Sequence, residues 1–464
     1  MYLITFLVYL IIVIGIGVYF KKYNEGVEDF AVAGRSLGVP VLLGTLFSTT
    51  MGGATVVGWT GSFYTMGIGW WFSGLGAILG ILAATFILAE KFRRLEQFTV
   101  PDMLALRYDR RSGYLSSIMI IIGDVAVITV QILSITGILV VFIGLEELPA
   151  MIIGVLAFTV ISLFGGMKGV AITDAIQAVL VFLGLMVGVI ILFYVGGGIN
   201  NIVQALPNDY FSVFSSTDGL GAFNMAMAAF GTTAVSQSII FARVFSAKDA
   251  KTAKTSLLWL VPAVFLGYLF TALLGYSGRG ILGADVVPDQ VFPTIVTTLL
   301  PPFVGALLLV VVIAALVTTT NSIILSTSIN VARDFYQQLR KGDVSSKELQ
   351  KVSQISVVII AVISFLLAFF MPNIIDAIVF AYTMYAAGLL IPMYVGYLWK
   401  GATATAGMLS IIGGGGTALL WYILNQPFGL PPMVPSLLVS LVLIIVISFI
   451  TEKPSKEQLK SFDI

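Results

Sequence analysis

The chain has 464 residues, 58% of them hydrophobic and only 10% charged, with 24 basic and 23 acidic side chains and a net charge of +1. Its mean hydropathy of +1.04 stands far above that of soluble domains, so the composition is that of a polytopic membrane protein. The absence of Cys and His excludes disulfides, thiolate chemistry and the commonest general base and zinc ligand, and no basic patch is present to hold nucleic acid.

Apolar runs of about 17 or more residues, bounded by charged or Gly, Pro and Asn turns, predict an all-α chain of thirteen transmembrane helices. They fall at 2–20, 38–64, 67–89, 115–145, 148–166, 170–195, 222–242, 256–276, 292–330, 352–371, 374–399, 402–424 and 434–450. The first run lacks a basic leader and a small-residue cleavage site, so 2–20 reads as a span. Thirteen is odd, which places the termini on opposite sides. With alternate loops assigned to one side, 23 of the 24 basic residues collect there and only Arg279 falls opposite. Lys and Arg mark the cytoplasmic loops, so the N-terminus is expected outside and the C-terminus in the cytoplasm of a cell-membrane protein.

Spans two to six (38–195) and seven to eleven (222–399) fit two inverted repeats within a single membrane domain, 1–464, with 2–20 leading and 402–450 trailing. Each repeat opens on a helix interrupted by glycine and hydroxyls, at Phe47–Ala54 and at Phe230–Ser236. An unwound turn frees carbonyls and exposes half-helix ends, which can hold an ion and an anionic or zwitterionic solute near the midplane. In the fourth span Asp124 lies seven residues before Gln131 on the same face, and Asp174 opens the sixth. A carboxylate within a span is costly to bury and points to function.

The ninth span carries Thr318-Thr319-Thr320-Asn321-Ser322, five consecutive neutral side chains with oxygens. At helical spacing Ala315, Thr318, Thr319, Ser322, Ser326 and Asn330 share one stripe, and neutral oxygens suit a small hard cation. Where the polar parts of these spans meet, the solute site is predicted to draw on Thr49, Thr50, Gly52, Ala54, Thr55, Asp124, Gln131, Gly231, Thr232, Thr233 and Gln237. No Lys or Arg is expected at mid-membrane depth, so a solute carboxylate would rest on half-helix N-termini and hydroxyls. A channel would need a continuous polar pore, an enzyme a nucleophile or metal constellation, and a sensor a soluble output domain; the chain supplies none of these.

Several motifs together resemble those of the sodium/solute symporter family over nearly the whole chain. Phe30-Ala31-Val32-Ala33-Gly34-Arg35-Ser36-Leu37-Gly38 is similar to the approach to that family's first core helix, and Gly58-Trp59-Thr60-Gly61-Ser62-Phe63-Tyr64 to its exit. The stretch from Gly165-Gly166 to Asp174 and Gln177, and the run Ala314-Ala315 to Thr318-Thr319 followed by Asp334-Phe335-Tyr336, are similar to two further hallmarks. The resemblance implies a five-plus-five inverted-repeat transporter, not an enzyme, that imports a small organic solute with sodium by alternating access and uses no cofactor beyond the coupling Na+. It places sodium between the first and eighth core helices, on carbonyls of Ser48, Met51 and Ala315 and hydroxyls of Thr318 and Thr319. In some members a second sodium sits below, which here involves Thr318, Asn321, Ser322 and Asp174. Asn321 departs from the usual hydroxyl, and Asp174 also suits an ion exit.

Sugar carriers of that family have Glu-Gln where this chain has Ala54-Thr55, and sugar and proline carriers have aromatics at Thr233 and Ala234. The prolines from Val287 to Pro302 and the Val434–Leu441 stretch resemble pantothenate-type members, which implies a carboxylate, an amino-acid-like solute or a vitamin such as pantothenate. Proton coupling through Asp124 or Asp174 is the alternative. The expected partners are the solute, sodium and the lipid bilayer, with the single chain read as a monomer.

Overall fold

The computed structural model describes residues 31–164, 167–212, 219–337, 340, 344–371 and 373–456, together with isolated positions near both ends. The expected first span, 2–20, lies largely outside the described residues, as do Gly165 and Gly166. What is described is all-helical. We label the principal helices α1 (Val39–Thr50), α2 (Trp59–Met66), α3 (Trp71–Ala83), α4 (Val100–Arg107), α5 (Arg110–Ile143), α6 (Glu147–Phe164) and α7 (Met167–Val195). The second half contributes α8 (Gly219–Val235), α9 (Ala250–Leu282), α10 (Pro302–Asn330), α11 (Ser346–Ala368), α12 (Ile374–Tyr385), α13 (Ala404–Ile423) and α14 (Met433–Ile450). Among the described residues nine helices are long and apolar enough to cross a membrane, or ten if one bent pair counts as a span.

Helix starts follow local chemistry. Thr99, Asp109, Asp249 and Asn373 each accept a hydrogen bond from the backbone N–H three residues on, satisfying a donor that the first turn leaves free. The expected ninth span, 292–330, is two pieces rather than one. A short helical segment, Val291–Leu299, ends at an extended Leu300, and α10 begins at Pro302. Pro301-Pro302 has no N–H to continue a helix and pushes the preceding residue out of the helical region.

Two further breaks organise the molecule. α1 stops at Met51, whose φ of −92° and ψ of 46° leave the helical region, and a π-helical turn, Ala54–Gly58, restarts the chain toward α2. α8 stops at Ser236, which has φ −61° and ψ 122°, and the chain restarts at Gln237–Ser246 with a bend of 46°. The Ser236 hydroxyl accepts from the Ile239 N–H and so caps the new segment. α10 runs through the centre, with every residue from Val311 to Asn330 buried.

The loops rich in Lys and Arg gather at one end of the bundle. There Leu37 N–H donates to Ser246 O at 3.1 Å and Lys248 N–H donates to Leu37 O at 3.0 Å, joining the chain before α1 to the chain after the second break. Arg35 donates to Glu96 O at 2.6 Å, and Arg93 donates to Ala247 O at 2.6 Å. This basic end is closed by those contacts. The opposite end opens into a cavity of about 460 Å³ lined by Thr136, Glu147, Asp289, Gln290 and Asn373 among others. Burial pushes the Asp289 carboxyl above the usual carboxylate range, although it accepts from the N–H of Ile374 at the start of α12.

Candidate functional site: an oxygen cluster beneath a small cavity

α10 and the end of α1 cross so that hydroxyls meet freed carbonyls. Thr318 Oγ1 lies 3.0 Å from Ala315 O and 3.4 Å from Ser48 O, and Thr319 Oγ1 lies 3.3 Å from both Ser48 O and Thr49 O. Oxygens placed about 2.3–2.6 Å from one hard cation stand roughly 3.3–3.7 Å from each other, which the contacts of Ser48 O and Thr49 O with the two hydroxyls match, while Ala315 O stands a little closer to Thr318. Both threonines are buried, and both sit where the carbonyls at the end of α1 have lost their helical partners. The hydroxyl protons satisfy those carbonyls here; each can rotate to offer a lone pair instead.

Four of the five sodium residues expected from the sequence are brought together: Ser48, Ala315, Thr318 and Thr319. Thr49 O joins them, although the sequence places Thr49 with the solute. Met51 stands at the turn itself, with its side chain against Gly267. The close approach depends on glycine, since a Cβ on Gly52 would come within 2.2 Å of Thr319 Oγ1. Gly52→Ala is therefore expected to displace that hydroxyl and weaken sodium binding by about 5- to 150-fold, the equivalent of about 1–3 kcal/mol of overpacking. The check is the sodium-induced rise in melting temperature, which should shrink while the fold persists.

Below the cluster, Asp174 Oδ2 accepts from Thr45 Oγ1 at 2.7 Å and from Ser322 Oγ at 3.0 Å, and it pairs with Arg243 at 3.8 Å. Asp174 and Ser322 thus belong to one site. Asn321 does not, because its Oδ1 accepts from Ser162 Oγ at 2.8 Å on α6, turned away from Asp174. Arg243 corrects the expectation that no basic side chain lies deep. It is 0% exposed, donates to Thr49 Oγ1 at 2.9 Å and also to Ser238 O. A buried carboxylate and guanidinium must compensate each other, because either alone would carry several kcal/mol of desolvation.

Above the cluster is a cavity of about 30 Å³, lined by Thr49, Thr50, Gly52, Thr55, Gln131, Thr232, Thr233 and Thr319, with Tyr268 and Tyr382 as its aromatic walls. Gln131 is 0% exposed, and neither its amide oxygen nor its nitrogen has a partner among the described residues. An orphan amide in a membrane interior is costly and marks a place where another molecule completes the bonding.

Three residues expected to touch solute sit elsewhere. Asp124 is held by three hydroxyls: Ser238 and Thr327 each donate to Oδ2 at 2.6 Å, and Tyr385 donates to Oδ1. Gln237 turns toward the basic end and accepts from Val100 N–H at 2.8 Å. Gly231 packs against Ala386, which a Cβ on the glycine would meet at 2.1 Å. The Ala54 side chain is outside the described set. The two tyrosines and Arg243 were missed; the only sequence signal for Arg243 is its place seven residues, about two turns, beyond the break at Ser236.

The model of the sodium:solute symporter family matches residues 30–414. A sodium/pantothenate symporter of Escherichia coli strain K12 is 27% identical over 463 residues, covering 94% of each chain. An osmoregulated proline transporter of Bacillus subtilis strain 168 is 24% identical over 477 residues, covering 98% of this chain and 96% of that protein. Among solved structures, a Na+-coupled sialic acid symporter in a substrate-bound outward-open state superposes with a TM-score of 0.82 at 20% identity, over 97% of this chain and 98% of that one.

Proposed function

The chain belongs to the sodium:solute symporter family, and on that premise we propose that it imports a small carboxylate-bearing solute, amino-acid-like or a vitamin such as pantothenate, together with sodium. The observation that carries this reading is the stacking of an orphan amide, Gln131, over an oxygen cluster that joins α1 to α10. Sodium enters at Ser48, Thr49, Ala315, Thr318 and Thr319, and the solute occupies the cavity above. Gln131 would give it a donor and an acceptor, and Thr49, Thr50, Thr55, Thr232 and Thr233 would supply further polar contacts. Tyr268 and Tyr382 would cover its apolar part.

The sources of support differ between solutes. Relatives named for pantothenate and for proline both match at about a quarter identity. Thr233 stands where an aromatic would favour proline, and the polar lining favours the longer, amide-bearing acid. We place the basic end in the cytoplasm, which makes the 460 Å³ cavity the outer vestibule. Its wall includes Leu133 and Thr136, about one turn along α5 from Val130 and Gln131 of the inner cavity.

A volume of about 30 Å³ accepts one or two waters, whereas small-molecule sites run to hundreds of Å³, so solute entry requires the surrounding helices to part. Sodium binding across α1 and α10 favours the arrangement that has both helices in reach, and by linkage solute and sodium tighten one another by the same factor, typically about 5- to 150-fold.

Proteoliposome uptake of pantothenate, proline and a panel of related acids, with and without an inward sodium gradient, tests the reading. Accumulation of one of them only under the gradient supports it, and accumulation driven equally well by a proton gradient without sodium overturns it. Single cysteines at Thr55, Gln131 or Thr233 of this Cys-free chain are expected to be shielded from thiol reagents by the transported solute at least about fivefold, the lower end of such couplings.

A further inference from the structure

Beyond Asp174, α10 carries two buried side chains with unmet hydrogen-bonding groups: Ser326, which is 2% exposed, and Asn330, which is 0% exposed. Ser326 Oγ and both the oxygen and the nitrogen of the Asn330 amide have no partner among the described residues. Such groups inside a membrane protein call for water or an ion.

Helical geometry says where they look. At about 100° per residue, if Ser322 defines zero, Ser326 lies near 40°, Asn330 near 80° and Thr327 near 140°. Ser322 donates to Asp174 and Thr327 donates to Asp124, so the two unpartnered residues face the sector between the two carboxylates. Arg243 bridges that sector. It pairs with Asp174 and donates to the carbonyl of Ser238, whose hydroxyl in turn holds Asp124. The Arg243 Nε is also without a partner among the described residues. Each four-residue step along the helix advances about 6 Å, so Ser322, Ser326 and Asn330 descend toward the basic end. There the helix passes into the π-helical turn Val331–Gln337 and Asp334, whose Oδ1 has no partner among the described residues either.

We propose that Ser326 and Asn330 line a hydrated file by which the coupling cation, once freed from the oxygens around Thr318 and Thr319, leaves for the cytoplasm, with Arg243 standing at its head. The proposal rests on the sodium-coupled reading given above. Neutral hydroxyl and amide oxygens offer a small cation brief, weak ligation at each step, which suits passage rather than retention. In the closed arrangement the guanidinium repels the ion at the entrance, and its displacement from Asp174 opens the file.

The Cys-free chain allows a direct test. Ser326→Cys and Asn330→Cys are compared with Ile324→Cys and Leu325→Cys, which are buried at similar depth but point about 200° and 300° from Ser322. The probe is the membrane-impermeant cation trimethylammonium-ethyl methanethiosulfonate, applied from either side of oriented proteoliposomes in sodium or in choline. Reaction at 326 and 330 at least tenfold faster than at 324 and 325, from the basic end alone, and slowed at least threefold by sodium, is the expected result. Equal reaction at all four positions overturns the file, whatever solute uptake does. A fast reaction that sodium leaves unchanged overturns its role for the cation. Solute uptake indifferent to a sodium gradient overturns the symport reading, whatever the ranking of the four cysteines.

Discussion

Replacing Thr318 and Thr319 together by alanine is expected to remove the stabilisation that sodium confers and to raise the sodium needed for half-maximal uptake by about 30-fold or more. Each hydroxyl is one of five oxygens within ligand spacing, and the other three are carbonyls that the backbone keeps in place. Loss of one partner of a charged group in a buried site costs about 1–3 kcal/mol, and two such losses add to at least about 2 kcal/mol, which is about 30-fold. Water cannot readily take the place of the Thr318 hydroxyl, which is 1% exposed and does not line the cavity. Melting curves in sodium and in potassium give the binding readout, since a ligand of the native state stabilises by RT ln(1 + [L]/Kd). An undiminished sodium-dependent shift in the double variant would place the ion elsewhere.

Arg243→Leu is expected to be the most damaging single change, destabilising the protein by about 3–5 kcal/mol through the buried Asp174 left behind. Asp174 keeps hydrogen bonds from Thr45 and Ser322, but hydroxyls do not neutralise a carboxylate. Arg243→Leu combined with Asp174→Asn should regain most of the loss, because the second change removes the uncompensated charge. Thermal melts of the two single variants and the double give the interaction energy directly. Additive effects in that cycle would mean that the 3.8 Å pair contributes nothing by itself. Asp174→Asn alone should spare the choice of solute, since Asp174 does not line the cavity, while slowing turnover.

The course of most spans is legible in the sequence because a run of about twenty apolar residues has few alternatives to a membrane helix. The break at Leu300-Pro301 within 292–330 escapes a hydropathy reading, since the turn is made of apolar residues and leaves no polar interval. The stripe from Ala315 to Asn330 predicts a functional face of α10, but not that its lower part separates into different tasks. Ser322 faces Asp174, Asn321 turns to Ser162 and Thr327 reaches Asp124. Arg243 lay beyond reach for a related reason. A lone arginine after an apolar helix reads as a loop residue, and its burial depends on Thr49, 194 residues away, and on Asp174. Asp124 and Gln131 share a face by spacing, yet one meets three hydroxyls and the other an opening, a difference set by other helices.

The parallel bridge between Leu37 and Ala247 ties the segment that leads into α1 to the segment that follows the second break. The segment leading into α1 and the segment after Ser246 are fastened by two backbone hydrogen bonds, Leu37 N–H to Ser246 O and Lys248 N–H to Leu37 O. A backbone bond contributes about 0.5–1.5 kcal/mol net, so parting the two segments costs about 1–3 kcal/mol before any side chain moves. Swinging both as one leaf leaves those bonds intact. An arrangement with one segment displaced and the other seated is therefore sparsely populated, from about 15% down to under one percent of the pair. Spin labels placed on the two segments should accordingly hold a constant mutual distance while each moves against α5.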